Sequence, residues 1–142
     1  MLSLQPQYYD ELCRGLKKTE YRRGMFIKEP CHGFIYCSTP VAEIGAYVRF
    51  GQPIIGSHDE IARIKECEEA GTYDMMLEWL TGSNQATAIP ILEVKTFPAI
   101  SLQELRERFG KFHPPQKYTY IDTRPELLKY LKEVSELDFE SA

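Results

Sequence analysis

Two apolar periods take turns along this chain, and together they lay out most of its elements. Apolar residues recur at helical spacing from Pro6 through Tyr9, Leu12 and Cys13, and Gly15 stands where a left-handed residue would end that helix. Lys18–Arg23 alternates charged Lys18, Glu20 and Arg22 with Thr19, Tyr21 and Arg23, the two-residue period of a strand. Phe34–Ser38 is a short β-rich run between Gly33 and Pro40, and Ile44–Phe50 alternates again before Gly51. Ser57-His-Asp-Glu60 is a capping box that opens an amphipathic helix through Ile61, Ile64 and Cys67, stopped at Gly71. Thr72 begins a second helix carrying Tyr73, Met76, Leu77 and Leu80, stopped at Gly82. Thr87–Val94 has strand character, with Pro90 pointing to an edge or a bulge. Ser101-Leu-Gln-Glu104 caps a helix running to Phe109, Lys117–Ile121 is a short strand, and Thr123-Arg-Pro-Glu126 opens a last helix through Leu127, Leu128, Leu131 and Val134.

Strands and helices thus come in separate blocks, without the regular alternation of a doubly wound parallel sheet. The expected class is α+β: about five mainly antiparallel strands in one small curled sheet, with helices outside it. A length of 142 residues is that of a single domain, 1–142. With 43% hydrophobic and 27% charged residues the composition is that of a globular protein. No apolar run approaches the ~20 residues of a membrane-spanning helix. MLSLQPQYYDEL has neither the basic nor the apolar region of a secretory signal, so a cytoplasmic location is expected. Four cysteines, at 13, 31, 37 and 67, have long irregular spacing and no CxxC pair, which points to reduced and mostly buried thiols. His32, His58 and His113 have no HxxxH or HExxH partner. No metal site and no cofactor are expected.

The net charge of −4 argues against nonspecific nucleic-acid binding, but it conceals an asymmetry. Six basic residues lie between Arg14 and Lys28, opposed within that span by Glu20 alone, whereas seven acidic and two basic residues lie between Ser57 and Thr81. The basic strip can recruit an anion that the acidic segment repels. Within it, a turn after Gly15 projects Lys17, and the following strand sets Glu20 and Arg22 on one face, ~6.5–7 Å apart. Lys17 and Arg22 suit phosphate, Arg22 bidentately. Glu20 suits a base edge, a sugar hydroxyl or the orientation of the two cations. The same residues also fit a solvated edge strand whose mixed charges discourage pairing. Tyr36, Tyr118 and Tyr120 alternate within strands, where aromatics either fill a core or stack bases. Trp79 with Met75 and Met76 makes an apolar stripe on an acidic helix, either core or, through the helices at 57–81, a protein-partner surface.

Gly15-x-Lys17-x-x-Glu20-x-Arg22 resembles the GxKxxExR signature of the ASCH domain, a family of the PUA-like superfamily. Three further stretches resemble the family in order: LSLQPQYYDEL its opening strand and helix, IYCSTPVAEIGAYV its strand, Ser-x-Pro-Val turn and next strand, and PPQKYTYI its closing strand. The resemblance implies a small PUA-like β-barrel flanked by helices, and a ligand cleft beside it. It implies that RNA, a nucleotide or a modified nucleoside is bound by Lys17, Glu20, Arg22, Ser38 and Gln116. The alternative it raises is a small hydrolase acting on RNA or on a modified nucleoside, like the branch that deacetylates N4-acetylcytidine, with Lys17 and Glu20 as candidate catalytic residues. That branch uses a threonine where this chain has Glu20, and a carboxylate does not replace a hydroxyl nucleophile. Thr19 is adjacent, but one residue along a strand faces the other way.

Overall fold

The computed structural model describes residues 1–24, 27–116 and 118–135. The strands are β1 (Leu2–Leu4), β2 (Thr19–Arg23), β3 (His32–Cys37), β4 (Glu43–Phe50), β5 (Ile54–Gly56) and β6 (Ala86–Ser101). The helices are α1 (Pro6–Cys13), α2 (His58–Glu68), α3 (Tyr73–Leu80), α4 (Leu102–Phe109) and α5 (Pro125–Ser135), with a 3-10 turn over Ile121–Thr123. The expected α+β class holds. Strand order is β1-β3-β4-β6-β2, with β5 also paired to β6. β2 and β5 are antiparallel to β6, while β1 joins β3 in parallel. No helix among the described residues is long and apolar enough to cross a membrane.

The chain divides into two compact units. The first holds residues 1–16, 33–48 and those from 94 onward, and the second holds 17–32 and 49–93; β4 and β6 contribute residues to both. The core of the first unit gathers Phe34, Tyr36, Ile44 and Tyr47 from β3 and β4 with Leu105 of α4, Phe112, Ile121, and Leu127 and Leu131 of α5. Phe34 meets Tyr47 and Phe97 edge-on at 5.5 and 5.9 Å between ring centroids, the geometry that aromatic quadrupoles favour. Gly45 is required there by close approach, since a Cβ would lie 2.5 Å from the Tyr9 hydroxyl.

In the second unit the start of β6 is flanked on both sides, Ala88 standing between Tyr21 of β2 and Ile54 of β5. One face of this three-stranded patch offers Ala86 and Ala88 to Ile61, Ala62, Met76 and Leu80 of α2 and α3. Small residues on the strand let the helices come close. The Ser57–Glu60 capping box forms as read, with Ser57 Oγ accepting from Glu60 N at 3.2 Å and Glu60 Oε1 accepting from Ser57 N at 3.4 Å. Ser101 Oγ likewise accepts from Glu104 N at 3.1 Å.

Four local expectations need correction. The strand read over Lys117–Ile121 is absent beyond one antiparallel bridge, Tyr118 to Leu2, and Ile121 begins the 3-10 turn; Lys117 itself lies outside the described residues. Thr119 and Met1 still exchange two bonds, Thr119 N to Met1 O at 2.9 Å and the terminal amine to Thr119 O at 2.7 Å. The capping box at Thr123 does not form. Pro125 fixes the first helical residue, so Arg124 takes the flanking place and its carbonyl accepts from Leu128 N at 3.0 Å, while Thr123 Oγ1 donates to Tyr120 O. β6 runs on to Ser101, and Pro90 marks no edge: it opposes Thr19, and its carbonyl accepts from Gly51 N at 2.8 Å, just past the end of β4. Ile91 N donates to Lys18 O at 2.9 Å, so alternate pairs bond toward β2 and the nitrogen of Pro90 faces away from that ladder. The cysteines are free, but only Cys37 is buried, while Cys67 is exposed.

α3 has no side-chain N-cap of its own, and Glu66 from α2 supplies one. Its carboxylate accepts Gly71 N at 2.9 Å, Thr72 N at 2.8 Å and Tyr73 N at 3.0 Å. Those backbone bonds hold the Glu66 carboxyl below its ordinary value. A carboxyl lowered on folding stabilises the protein above its unfolded pKa, near ~4.3 for glutamate, and that contribution disappears as pH falls through the folded value. Glu66→Ala should therefore lower the melting temperature at neutral pH and shrink the difference from wild type in acid. Thermal melts of the two proteins across that pH range check it; a difference that grows in acid contradicts it.

Candidate anion-binding site

α1 ends as Gly15 suggested. Gly15 has φ +74°, its N–H reaches Leu12 O at 3.0 Å, and Leu16 N reaches Glu11 O at 2.9 Å, the paired bonds of a Schellman motif. Lys17 follows at once, and β2 begins at Thr19.

On β2 the alternation of faces decides which side chains meet. Glu20 opposes Ile89 and Arg22 opposes Thr87, so these four share a face; Tyr21 and Arg23 oppose Ala88 and Ala86 on the face packed by α2 and α3. Lys17 Nζ lies 3.0 Å from Glu20 Oε1, and Arg22 Nε donates to Glu20 Oε2 at 2.7 Å, with Nη2 on the same oxygen. The three side chains are only 11%, 6% and 19% exposed for Lys17, Glu20 and Arg22. Glu20 is the one charged residue that is buried among those described. Removing a carboxylate from water costs several kcal/mol, offset here by a cation on each oxygen. The arrangement is therefore no solvated edge strand.

The opposite face has its own partners. Tyr21 donates to Glu68, and its phenol is pushed up chiefly by burial, then by that carboxylate. Lys65 sits 5.7 Å from the Tyr21 ring, and Arg23 lies 5.1 Å over Trp79. Thr19 hydrogen-bonds the Tyr21 side chain, so its hydroxyl belongs to this face and not to that of Glu20.

Of the five expected ligand residues, Lys17, Glu20 and Arg22 come together in the second unit, while Ser38 and Gln116 belong to the first. Half-buried Ser38 directly follows β3, its N–H donating to Leu4 O at 2.9 Å and its carbonyl accepting from Ala42 N at 3.3 Å. Gln116 is exposed, beside Pro115, whose carbonyl accepts from Ser3 Oγ at 2.5 Å. Tyr36 is core, but Tyr118 and Tyr120 are exposed, their rings edge-on at 5.7 Å. The stripe on α3 splits likewise: Met76 is buried, whereas Met75 and Trp79 are 58% and 39% exposed. His58 Nε2 lies 3.1 Å from Ser83 Oγ, tying the start of α2 to the turn after α3.

A second group went unread in the sequence. Tyr9 bonds the Cys13 side chain one helical turn on, and burial pushes its phenol well up. Burial, then Glu43 and Cys13, pushes the Cys37 thiol up to about 11. The i,i+4 spacing of Tyr9 and Cys13 was the available signal. Among the described residues, no three His, Cys, Asp or Glu side chains gather closely enough to hold a metal.

Glu20→Gln tests the triad as a structural element. Removing the charge leaves two half-buried cations facing each other without their shared carboxylate, so unfolding by denaturant should show a loss of about 3–5 kcal/mol. A loss under ~1 kcal/mol, the range of exposed ion pairs, would mean the triad is solvated.

No family model and no curated protein matches the chain. Solved structures do match. The crystal structure of the ASCH protein from Zymomonas mobilis superposes with TM-score 0.70 at 21% identity, over 90% of this chain and 92% of that one. A serine-to-alanine variant of the same protein gives TM-score 0.71 at 22% identity, over 91% and 93% of the two chains. A tyrosine-to-phenylalanine variant gives 0.71 at 20%, over 90% and 94%. At this identity the likeness speaks to architecture, and the chain has the fold of an ASCH domain.

Proposed function

We propose that the protein is an RNA- or nucleotide-binding module whose phosphate contact is the Lys17–Glu20–Arg22 triad. The observation that carries this reading is a half-buried pair of cations held on one buried carboxylate, at the positions that resemble the ASCH signature, in a chain with that fold. Fixed cations in a low-dielectric setting attract an anion more strongly than solvated ones, and their side-chain entropy is already lost. Lys17 and Arg22 supply the positive charge, and Glu20 orders both.

The hydrolase reading asks for a nucleophile where Glu20 stands. Both Glu20 oxygens are engaged by cations, and the Thr19 hydroxyl lies on the other face of β2. Lys17 Nζ is itself engaged by the Glu20 carboxylate at 3.0 Å.

Lys17→Ala or Arg22→Ala should weaken binding of a short single-stranded RNA by about 1–3 kcal/mol, the worth of a charged hydrogen bond. The deficit should shrink as salt rises, because phosphate contacts release counterions. Lys132→Ala on α5 is the control; calorimetric titrations showing equal losses at Lys132 and Lys17 would mean diffuse electrostatics. The wild type should turn over little or no N4-acetylcytidine in a chromatographic assay. Robust turnover that Lys17→Ala abolishes would move the assignment to a hydrolase.

A further inference from the structure

The charge inventory of the triad limits which phosphate it can hold. Lys17 and Arg22 carry two positive charges, and Glu20 offsets one of them at 3.0 and 2.7 Å. Whatever else the two cations touch, at most one positive charge is left over within the group. Lys18, also in the basic strip, is exposed and screened by water and salt. Side chains only 11%, 6% and 19% exposed make any uncompensated charge costly.

A phosphate inside a nucleic-acid chain is a diester with one negative charge. A terminal phosphate carries about −1.5 to −2 at neutral pH, its second pKa lying near ~6. The single charge of the diester stays within that limit of one positive charge. The terminal dianion exceeds it, and its second charge falls beside the Glu20 carboxylate. We propose that the triad selects singly charged phosphodiesters over doubly charged terminal phosphates, with Glu20 as the discriminating residue. This rests on the triad being the phosphate contact. Glu20 then acts by repulsion, as specificity devices commonly do: it lowers the attraction for every anion but penalises the dianion most.

The test compares uridine 5′-monophosphate with its O-methyl ester, which share base and sugar and differ by one charge. Binding of each to the wild-type protein is measured by calorimetry at about pH 7.5 and about pH 5.5. The ester should bind more tightly at the higher pH. Lowering the pH should tighten the monophosphate roughly twentyfold, the rise in its singly charged fraction for a pKa near ~6. The ester should change little, which controls for titration of the protein itself. Where Glu20→Gln folds, its preference should shift toward the dianion; where it does not, the wild-type pH series decides alone. A monophosphate that binds more tightly than the ester at about pH 7.5, or does not tighten on acidification, overturns the selectivity while leaving the phosphate contact in place. Binding of neither probe at either pH overturns both.

Discussion

A carboxylate on a side chain only 6% exposed survives in this fold because two cations reach it from opposite directions along the chain. Lys17 comes from three residues before Glu20 and Arg22 from two residues after. Each approach depends on a different piece of local structure. Lys17 needs α1 to end at Gly15, where the Schellman bonds fix the exit. Arg22 needs β2 to stay extended, so that its side chain shares the face of Glu20 and can fold back onto it. Losing either cation would take the partner from one oxygen of a buried carboxylate, which costs more than an exposed salt bridge is worth. The triad therefore ties the strand register and the placement of positive charge into one condition.

β2 works as a two-faced strand. Glu20 and Arg22 lie on one side. On the other, Tyr21 and Arg23 engage Glu68, Lys65 and Trp79 from α2 and α3. The helices are held against this face by small residues on β6 and by the Glu66 clamp at the start of α3. The second unit thus anchors the strand through its helix face while the opposite face carries the ion triad. The first unit is built differently, around an aromatic and leucine core on β3, β4, α4 and α5.

The same geometry bears on chemistry. Lys17 is held against one oxygen of the Glu20 carboxylate and Arg22 against the other. Such a group is suited to electrostatic recognition, with selectivity set by how much positive charge remains after the internal pairing. An exposed lysine cluster would bind anions more indiscriminately, because water screens the difference between one charge and two.

The sequence by itself determined the elements with strong local signals. Gly15 ended α1, Ser57 and Glu60 built their capping box, and β2, β3, β4 and the three helices α2 to α4 stand within a residue or two of where periodicity put them. The alternation in β2 was enough to place Glu20 and Arg22 on one face, and the spacing was enough to bring Lys17 near. Whether this cluster was a solvated edge or a dry triad was open, because burial depends on what covers a strand and not on the strand's own period. The three-residue strands β1 and β5 are too short to show a period. The far half of β6 shows no strand period because its exposed residues come in adjacent pairs, at 95–96 and 98–99. Near the end of the described chain, Pro125 overrode the box at Thr123, and Tyr118 and Tyr120 came out exposed where a sheet face would have buried one set. Local bonding and side-chain period could be read from neighbours in sequence; strand partners and burial were decided by residues far apart in the chain, where tertiary packing alone brings them together.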